Sequence, residues 1–239
     1  WNSRGLAFSS LSEYNKAVES YDESIRLDPR NAEVWNNKGI ILEKQEQYDV
    51  AINAYEEAIK IDNNFKEAWL NKGGALFEQA EYVEAINAYQ MAIKIDPEFA
   101  PAWLNKGLAL ANLDKNNLSK WGEVVKAYEI AIKLDPKLKN SYNIERAVAW
   151  TNMGIYLVTL GKTDDALIAF NKSIDINSKL PDTWNNKGLV LEIIGKNREA
   201  FMCFREAAKL DPNDYYAWNN TGNALRRLGR TIEANEAFA

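Results

Sequence analysis

Tryptophan returns along this chain at a fixed interval of 34 residues. Four copies are evenly spaced and three later copies resume the same step: Trp1, Trp35, Trp69, Trp103, Trp150, Trp184 and Trp218. The gap between Trp103 and Trp150 is 47 residues, which exceeds the period by 13. A period of this length is typical of stacked repeat arrays, in which each unit packs on its neighbours. Such an array offers a long groove rather than a catalytic cleft.

Each period contains two helical patterns separated by turn signals. In the second period, Trp35, Gly39 and Leu42 share one helix face, and apolar residues three and four apart resume from Tyr48 to Ile59. An Asp-Pro pair, which stops a helix, follows in four periods, at Asp28, Asp96, Asp135 and Asp211. Every unit is therefore predicted to be helix A, a turn, helix B and a turn. The predicted fold class is all-α, an α-α superhelix (solenoid) of stacked antiparallel helix pairs.

Two columns of small residues and one of aromatics recur in these helices. Helix A carries Gly5, Gly39, Gly73, Gly107, Gly154, Gly188 and Gly222. Helix B carries Ala17, Ala51, Ala85, Val124, Ala166, Ala200 and Ala234, and then Tyr21, Tyr55, Tyr89, Tyr128, Phe170, Phe204 and Phe238. Glycine in a helix costs about 1 kcal/mol against alanine, so its recurrence predicts close backbone approach. We expect the aromatics and the tryptophans, Trp69 and Trp184 among them, to form the seam between helices. Nucleobase stacking by tryptophan is the alternative, but no basic groove accompanies it.

The recurring pattern is W-x3-G, then A-x3-[YF]-x2-[AS], then P, and it resembles the tetratricopeptide repeat (TPR) family. The resemblance covers almost the whole chain and gives seven repeats in a single domain, 1–239. The expected repeats are 1–31, 32–65, 66–99, 100–138, 147–180, 181–214 and 215–239, with an extra segment at 139–146. Lysine stands before the glycine in four repeats, where the family usually has leucine. This departure changes packing detail and not the fold.

The 13 extra residues divide into two insertions. Five lengthen the turn at 114–120 in repeat four, and eight lie at 139–146. The eight could lengthen helix B of repeat four, lengthen helix A of repeat five, or form a loop. We favour a longer helix A of repeat five, because Asn140 and Ser141 are good N-cap types and Ile144, Val148 and Thr151 follow at helical spacing.

The resemblance implies that helices A line a concave groove, and one column there is nearly constant. It consists of Asn37, Asn71, Asn105, Asn152, Asn186 and Asn220. A carboxamide can both donate to and accept from a peptide backbone, and asparagine at this place does so in several members of the family. The alternative is that these side chains only contact the neighbouring helix or water. Four apolar residues complete the predicted groove: Leu70, Leu104, Phe77 and Ile155.

The residues that flank the asparagines define the kind of ligand. Chaperone-binding members of the family place Lys or Arg at these flanks to clamp a carboxylate, and here no cation stands there. We therefore expect an extended protein or peptide partner with apolar anchors, and not an acidic C-terminus.

Composition removes several other function classes. The chain has no His and one cysteine, Cys203, so triad and zinc chemistry lack their usual residues. The carboxylates of helix A, such as Glu43, Glu67, Glu78 and Glu192, are interpreted as a solvated face. The net charge of −5 disfavours nucleic acid, and no apolar run is long enough to insert into a membrane. We expect no cofactor and no metal. The chain begins with Trp and not Met, so the expected cytoplasmic location is weakly constrained.

The sequence thus predicts a non-enzymatic scaffold that binds an extended peptide segment in its concave groove. One alternative is a self-assembly module, in which the terminal repeats stack on another copy, because the last repeat stops inside helix B. The other alternative is the targeting arm of a larger enzyme.

Overall fold

The computed structural model describes residues 1–114 and 117–238, without the side chain of Phe238. Within these ranges the chain is helical and contains no strand, which confirms the predicted all-α class. The helices are α1 (Asn2–Ser10), α2 (Tyr14–Leu27), α3 (Ala32–Lys44), α4 (Tyr48–Ile61), α5 (Lys66–Glu78), α6 (Tyr82–Ile95), α7 (Ala100–Leu113), α8 (Trp121–Leu134), α9 (Leu138–Ser141), α10 (Asn143–Thr159), α11 (Thr163–Ile176), α12 (Pro181–Ile193), α13 (Asn197–Leu210), α14 (Tyr215–Arg227) and α15 (Thr231–Phe238), with a 3-10 helix at Leu118–Lys120.

The described residues form two compact units. Unit 1 contains residues 1–114 and 126–136, and unit 2 contains residues 117–125 and 137–238. In unit 1 the consecutive pairs α1/α2, α3/α4 and α5/α6 pack together, and in unit 2 the pairs α10/α11, α12/α13 and α14/α15 do the same. Five helices A begin where the sequence places the start of a repeat, at residues 32, 66, 100, 181 and 215. The single domain spanning 1–239 stays a prediction.

The turn from helix A to helix B depends on one left-handed residue. In unit 1 this residue is not glycine: Ser12, Glu46 and Ala80 have φ near +60°. In unit 2 it is glycine, at Gly161, Gly195 and Gly229. The left-handed region disfavours any residue with a Cβ, so unit 1 carries backbone strain that unit 2 avoids. The predicted five-residue insertion at 114–120 includes residues 115 and 116, which lie outside the described residues.

The turn from helix B to the next helix A begins at the predicted stop. Helices α2, α6, α8 and α13 each end one residue before an Asp-Pro pair. The aspartate then accepts a hydrogen bond from the backbone N–H two residues later, as Asp28 Oδ1 does from Arg30 at 3.1 Å and Asp96 Oδ1 from Glu98 at 2.9 Å. This local bond gives the backbone an alternative to another helical turn, so the predicted stops are confirmed.

Glycine on helix A makes room for the aromatic ring of helix B. A Cβ added to Gly39 would lie 2.5 Å from Cε1 of Tyr55, which is closer than real carbon contacts allow. The other glycines that face a ring in this way are Gly5, Gly73, Gly107, Gly154 and Gly188. The rings they meet are buried: Tyr21, Tyr55, Tyr89, Tyr128, Phe170 and Phe204. The aromatic column is therefore the seam between helices A and B, as predicted, except at Phe238, whose side chain lies outside the described atoms.

The tryptophans pack at the edge of that seam, as Trp69 does on the cluster around Tyr89 and Trp184 on the cluster around Phe204. Trp69 is half-buried and packs against the edge of two clusters, one around Tyr89 and one around Ala92. Its indole Nε1 donates to the backbone carbonyl of Asn63 at 3.2 Å, in the turn before its own helix. The same bond, six residues back, is made by Trp35, Trp103, Trp184 and Trp218. Tryptophan is thus structural, as predicted for Trp69 and Trp184: it packs on the helix pair and also fixes the turn between repeats.

Helix α10 confirms the favoured place for part of the eight-residue insertion. Trp150 stands eighth in α10, whereas Trp35 stands fourth in α3, so helix A of repeat five is longer by about one turn. Helix α8 has the same length, 14 residues, as α4 and α6, so helix B of repeat four is not lengthened. The expected N-caps are wrong, because Asn140 and Ser141 belong to the separate short helix α9 and α10 follows Tyr142.

Candidate functional site

Half of the asparagine column joins neighbouring A helices. Asn71 on α5 donates from Nδ2 to Oδ1 of Asn36 on α3 at 2.9 Å. Asn220 on α14 donates in the same way to Asn185 on α12 at 2.9 Å, and Asn37 donates to Asn2 at 3.4 Å. These three bonds agree with the alternative interpretation, in which the carboxamide holds the adjacent repeat. The side-chain carbonyl oxygen of each of these three asparagines can still accept another hydrogen bond.

The remaining members of the column face a different environment. Asn186 donates to the carbonyl of Asp182 in its own helix at 2.8 Å. Asn105 and Asn152 are half-buried, and neither side chain makes a hydrogen bond to a described residue. Residue 70, which precedes Asn71, is leucine, so Asn105 has no carboxamide beside it of the kind that Asn71 has. These two side chains have their full hydrogen-bonding capacity available, and their binding of a peptide stays a prediction.

Asn105 lies in a cavity of about 180 Å³ in unit 1. Helices α3, α5, α6 and α7 surround this cavity, three of them helices A. The lining residues are Glu43, Gly74, Phe77, Glu78, Tyr89, Asn105 and Leu108. Two predicted groove residues, Asn105 and Phe77, are therefore brought together. A Cβ on Gly74 would have only the Glu43 carboxylate oxygen within 4 Å, at 3.9 Å, so this glycine leaves the cavity open.

The electrostatics of this unit 1 cavity come from two carboxyl groups. The Tyr55 hydroxyl donates to Glu43 Oε2 at 2.7 Å. Burial raises the pKa of the Glu43 carboxyl; the Tyr55 hydrogen bond opposes this shift, and the neighbouring charge of Glu78 adds to it. Burial, followed by the charges of Glu43 and Glu78, raises the pKa of the Tyr89 hydroxyl. Among the described residues no Lys or Arg pairs with either carboxylate.

Sequence reasoning missed this carboxylate pair, although a signal was present. Residues 35 apart are neighbours on consecutive A helices, as the Asn36–Asn71 bond and the Glu192–Arg227 ion pair show. Glu43 and Glu78 are also 35 apart. Both line one cavity, in which Glu43 is half-buried and Glu78 is exposed. The interpretation of helix A carboxylates as a solvated face therefore holds for Glu78 and needs correction for Glu43.

A second cavity, of about 320 Å³, lies in unit 2 between α10, α11 and α12. Its walls are mostly apolar and include Ile155, Val158, Leu189 and Ile193, and Asn186 also lines it. Two more predicted groove residues, Ile155 and Asn186, are therefore brought together. Ile193 has 67% of its surface exposed, so part of this wall is open to a partner.

The two leucines of the predicted groove, Leu70 and Leu104, are less accessible to a ligand than expected. Leu104 is buried, with 4% of its surface exposed, so it offers almost nothing to a ligand. Leu70 is half-buried and packs against the clusters around Tyr89 and Ala92. The residue before the asparagine contacts the adjacent repeat at Asn36 and Asn185, and the same register explains the burial of Leu104.

The lysines before the glycines also act between repeats. Lys38 Nζ contacts Asp22 of the preceding helix B at 2.5 Å, and Lys72 Nζ contacts Glu56 at 2.7 Å. Lys72 also lies 5.8 Å from the ring centre of Trp69, within cation–π range. At Lys38 and Lys72 the departure from the family's leucine thus supplies an ion pair between repeats.

A metal site, a membrane-spanning helix and a reactive thiol each have structural requirements that the described residues do not meet. No group of three His, Cys, Asp or Glu residues is arranged there to hold a metal ion. Every helix described is too short or too polar to cross a bilayer. Cys203 is buried, and burial raises the pKa of its thiol, which disfavours the reactive thiolate.

Family models agree with this geometry along most of the chain. Models described as TPR repeat match residues 5–46 and 73–114, and models described as tetratricopeptide repeat match 32–65, 147–180, 181–214 and 203–234. The fold and these matches define an α-helical repeat protein. The chain belongs to the tetratricopeptide repeat family. A comparison with curated protein sequences finds no match.

Solved structures show the same fold at low identity. YrrB, described as a TPR protein with an unusual peptide-binding site, is 18% identical with a TM-score of 0.62, over 84% of this chain and 96% of that one. MamA is 23% identical with a TM-score of 0.56, over 73% of this chain and 95% of that one. A chain of the Naa15/Naa10 complex bound to HypK-THB is 16% identical with a TM-score of 0.64. That match covers 98% of this chain but 34% of the other. The family supports a protein-interaction scaffold, and these neighbours support the fold.

Proposed function

We propose that this protein is a non-catalytic scaffold that binds an extended peptide segment of a partner along its helix A faces. The observation that carries the proposal is the pair Asn105 and Asn152. Both lie on helices A, and both have carboxamides that make no hydrogen bond to the described residues. A carboxamide can accept from a peptide N–H and donate to a peptide carbonyl, which holds a main chain regardless of its sequence. YrrB offers a peptide-binding precedent on the same fold.

Side-chain selectivity would come from the cavities that Asn105 and Asn186 line. In unit 2 the cavity next to Asn186 is walled by Ile155, Val158 and Ile193, and it suits one apolar anchor of the partner. Its volume, about 320 Å³, is large enough for a leucine or phenylalanine side chain. The mechanism would combine main-chain hydrogen bonds with a few buried anchors, as in other recognition of extended peptides.

Selection from a random twelve-residue peptide library displayed on phage tests the proposal. We expect enriched peptides whose binding slows amide hydrogen exchange in helices A, such as α5, α7, α10 and α12. Helices B, such as α6 and α11, should exchange unchanged and are the internal control. Failure to enrich any peptide, or protection confined to helices B, would contradict the proposal.

One alternative is self-association, and an exposed aromatic patch in unit 2 favours it. Tyr215, Tyr216 and Trp218 expose 65%, 61% and 38% of their surfaces. Tyr215 and Trp218 line a wide cavity of about 750 Å³ together with Glu236. Sedimentation of the chain at rising concentration tests this. A dimer that is lost in the Tyr215→Ser/Tyr216→Ser variant would support self-association, whereas a monomer throughout would reject it.

A further inference from the structure

We infer that the unit 1 cavity binds one basic side chain, lysine or arginine, of the partner's segment. The inference rests on the proposed function and adds the chemistry of a ligand residue. The cavity holds two carboxylates, Glu43 and Glu78, together with the rings of Phe77 and Tyr89 and the carboxamide of Asn105. The family motif quoted above gives this set of residues no ligand-binding role.

The size of the cavity selects a single side chain. Its volume is about 180 Å³, whereas pockets for whole small molecules run from about 300 to 1,000 Å³. Gly74 sets this volume, since nothing but the Glu43 carboxylate would lie within 4 Å of a Cβ there. A side chain with a slender stem and a terminal charged group suits such a space.

The charge of the cavity selects a cation. Elsewhere in unit 1, carboxylates that face a neighbouring helix are paired: Glu56 with Lys72 and Asp96 with Lys66, at 2.7 and 2.6 Å. Glu43 and Glu78 come from adjacent A helices into one cavity, and no described cation pairs with them. Two like charges at one site repel each other, and a cation between them would relieve that repulsion. Tyr55 orients the Glu43 carboxylate by its hydroxyl bond of 2.7 Å.

Aromatic walls are a second, independent feature that suits a cation. Half-buried Phe77 supplies the accessible ring of the cavity, since Tyr89 also lines it but has only 2% of its surface exposed. Tyr82 packs edge-on against Phe77 with ring centres 5.4 Å apart. The face of an aromatic ring attracts a nearby ammonium or guanidinium group, more strongly where water is displaced. Phe77 and Leu108 would also cover the apolar stem of lysine or arginine. An acidic or purely apolar side chain would use only part of this lining.

The experiment compares peptides selected from the twelve-residue phage library on three forms of the full chain. These are the wild type, Glu43→Gln/Glu78→Gln, and the control Glu84→Gln/Glu98→Gln. Glu84 and Glu98 are exposed residues of unit 1, so the control also removes two negative charges but leaves the cavity residues unchanged. Glutamine at 43 can still accept the Tyr55 bond, so folding should be retained, and circular dichroism checks this. Calorimetry then compares a selected peptide with its analogue carrying norleucine for lysine, or citrulline for arginine.

We expect a basic residue at one position of the peptides selected on the wild type and on the control, and its loss on the cavity variant. The uncharged analogue should bind the wild type about tenfold or more weakly, and bind the cavity variant as well as the parent peptide does. Gly74→Leu should weaken the basic peptide without changing any charge, and Gly74→Ala should do so to a smaller extent.

Failure of this inference and failure of the proposed function give different results. Peptides enriched without a basic residue, or a basic peptide whose affinity is the same for the cavity variant and the control, would overturn this inference and leave the proposed function standing. No enriched peptide on any form would overturn both.

Discussion

Two adjacent glycines on α5 provide a matched test of the seam between helices A and B. A Cβ on Gly73 would lie 2.5 Å from Cε1 of Tyr89, whereas a Cβ on Gly74 would lie 3.9 Å from its nearest neighbour, a carboxylate oxygen of Glu43. The two positions share one helix and both are far from its ends. Alanine substitution at each therefore isolates the contact with the buried ring.

The expected magnitudes have opposite signs. Alanine is favoured over glycine inside a helix by about 1 kcal/mol, so Gly74→Ala should stabilise the chain by about that amount. Gly73→Ala gains the same helix preference, but it forces a methyl group against the ring of Tyr89, a residue with 2% of its surface exposed. Overpacking costs about 1–3 kcal/mol, and this close contact belongs at the upper end, which leaves a net loss of about 2 kcal/mol.

Thermal and urea unfolding followed by far-UV circular dichroism would measure the difference. A gap of about 3 kcal/mol between the two variants corresponds to melting temperatures about 6–12 °C apart. The Tyr89→Leu background supplies the control, because Gly73→Ala should cost less once the ring is gone. If Gly73→Ala were as stable as Gly74→Ala, the explanation of the recurring glycine by ring contact would be refuted.

Three further predictions follow from the turns and the insertion. Ala80→Gly should raise the free energy of unfolding by about 1 kcal/mol, because Ala80 has a φ of +61°; Gly195→Ala should lower it similarly, and equal melting temperatures for both would argue against turn strain. Trp69→Ala should cost about 3 kcal/mol and lower the melting temperature, whereas lost peptide binding at full thermal stability would make Trp69 a contact residue. Amide exchange should be slow in residues 147–159 of α10 and measurably protected at 143–146, whereas fast exchange throughout 139–148 would indicate a loop in place of the lengthened helix.

The helices and their seams could be predicted because they depend on local sequence. Asp-Pro pairs mark the ends of four B helices, and the period of 34 places the start of five A helices at the observed residues. The aromatic on helix B recurs beside a glycine on helix A, and only a small residue is compatible with that contact. Each of these features repeats, so one unit could be checked against the others.

The site could be predicted only in part, because it depends on which residues of neighbouring repeats meet. The asparagine column was visible, but the sequence did not separate Asn71, bonded to Asn36, from Asn105, which has leucine in place of that partner. The 35-residue register between A helices makes this distinction and also brings Glu43 and Glu78 into one cavity. A single repeat cannot show such a register, since it exists only between two of them.

The most direct test of peptide binding is the affinity of a library-selected peptide for asparagine variants, measured by calorimetry. Asn105→Ala and Asn152→Ala should each weaken binding by about 1 kcal/mol or more per lost pair of hydrogen bonds, with helicity and melting temperature unchanged. Asn71→Ala, which removes the bond to Asn36, should instead lower the melting temperature. Unchanged affinity in an Asn105→Ala/Asn152→Ala double variant would contradict the claim that this column holds a main chain.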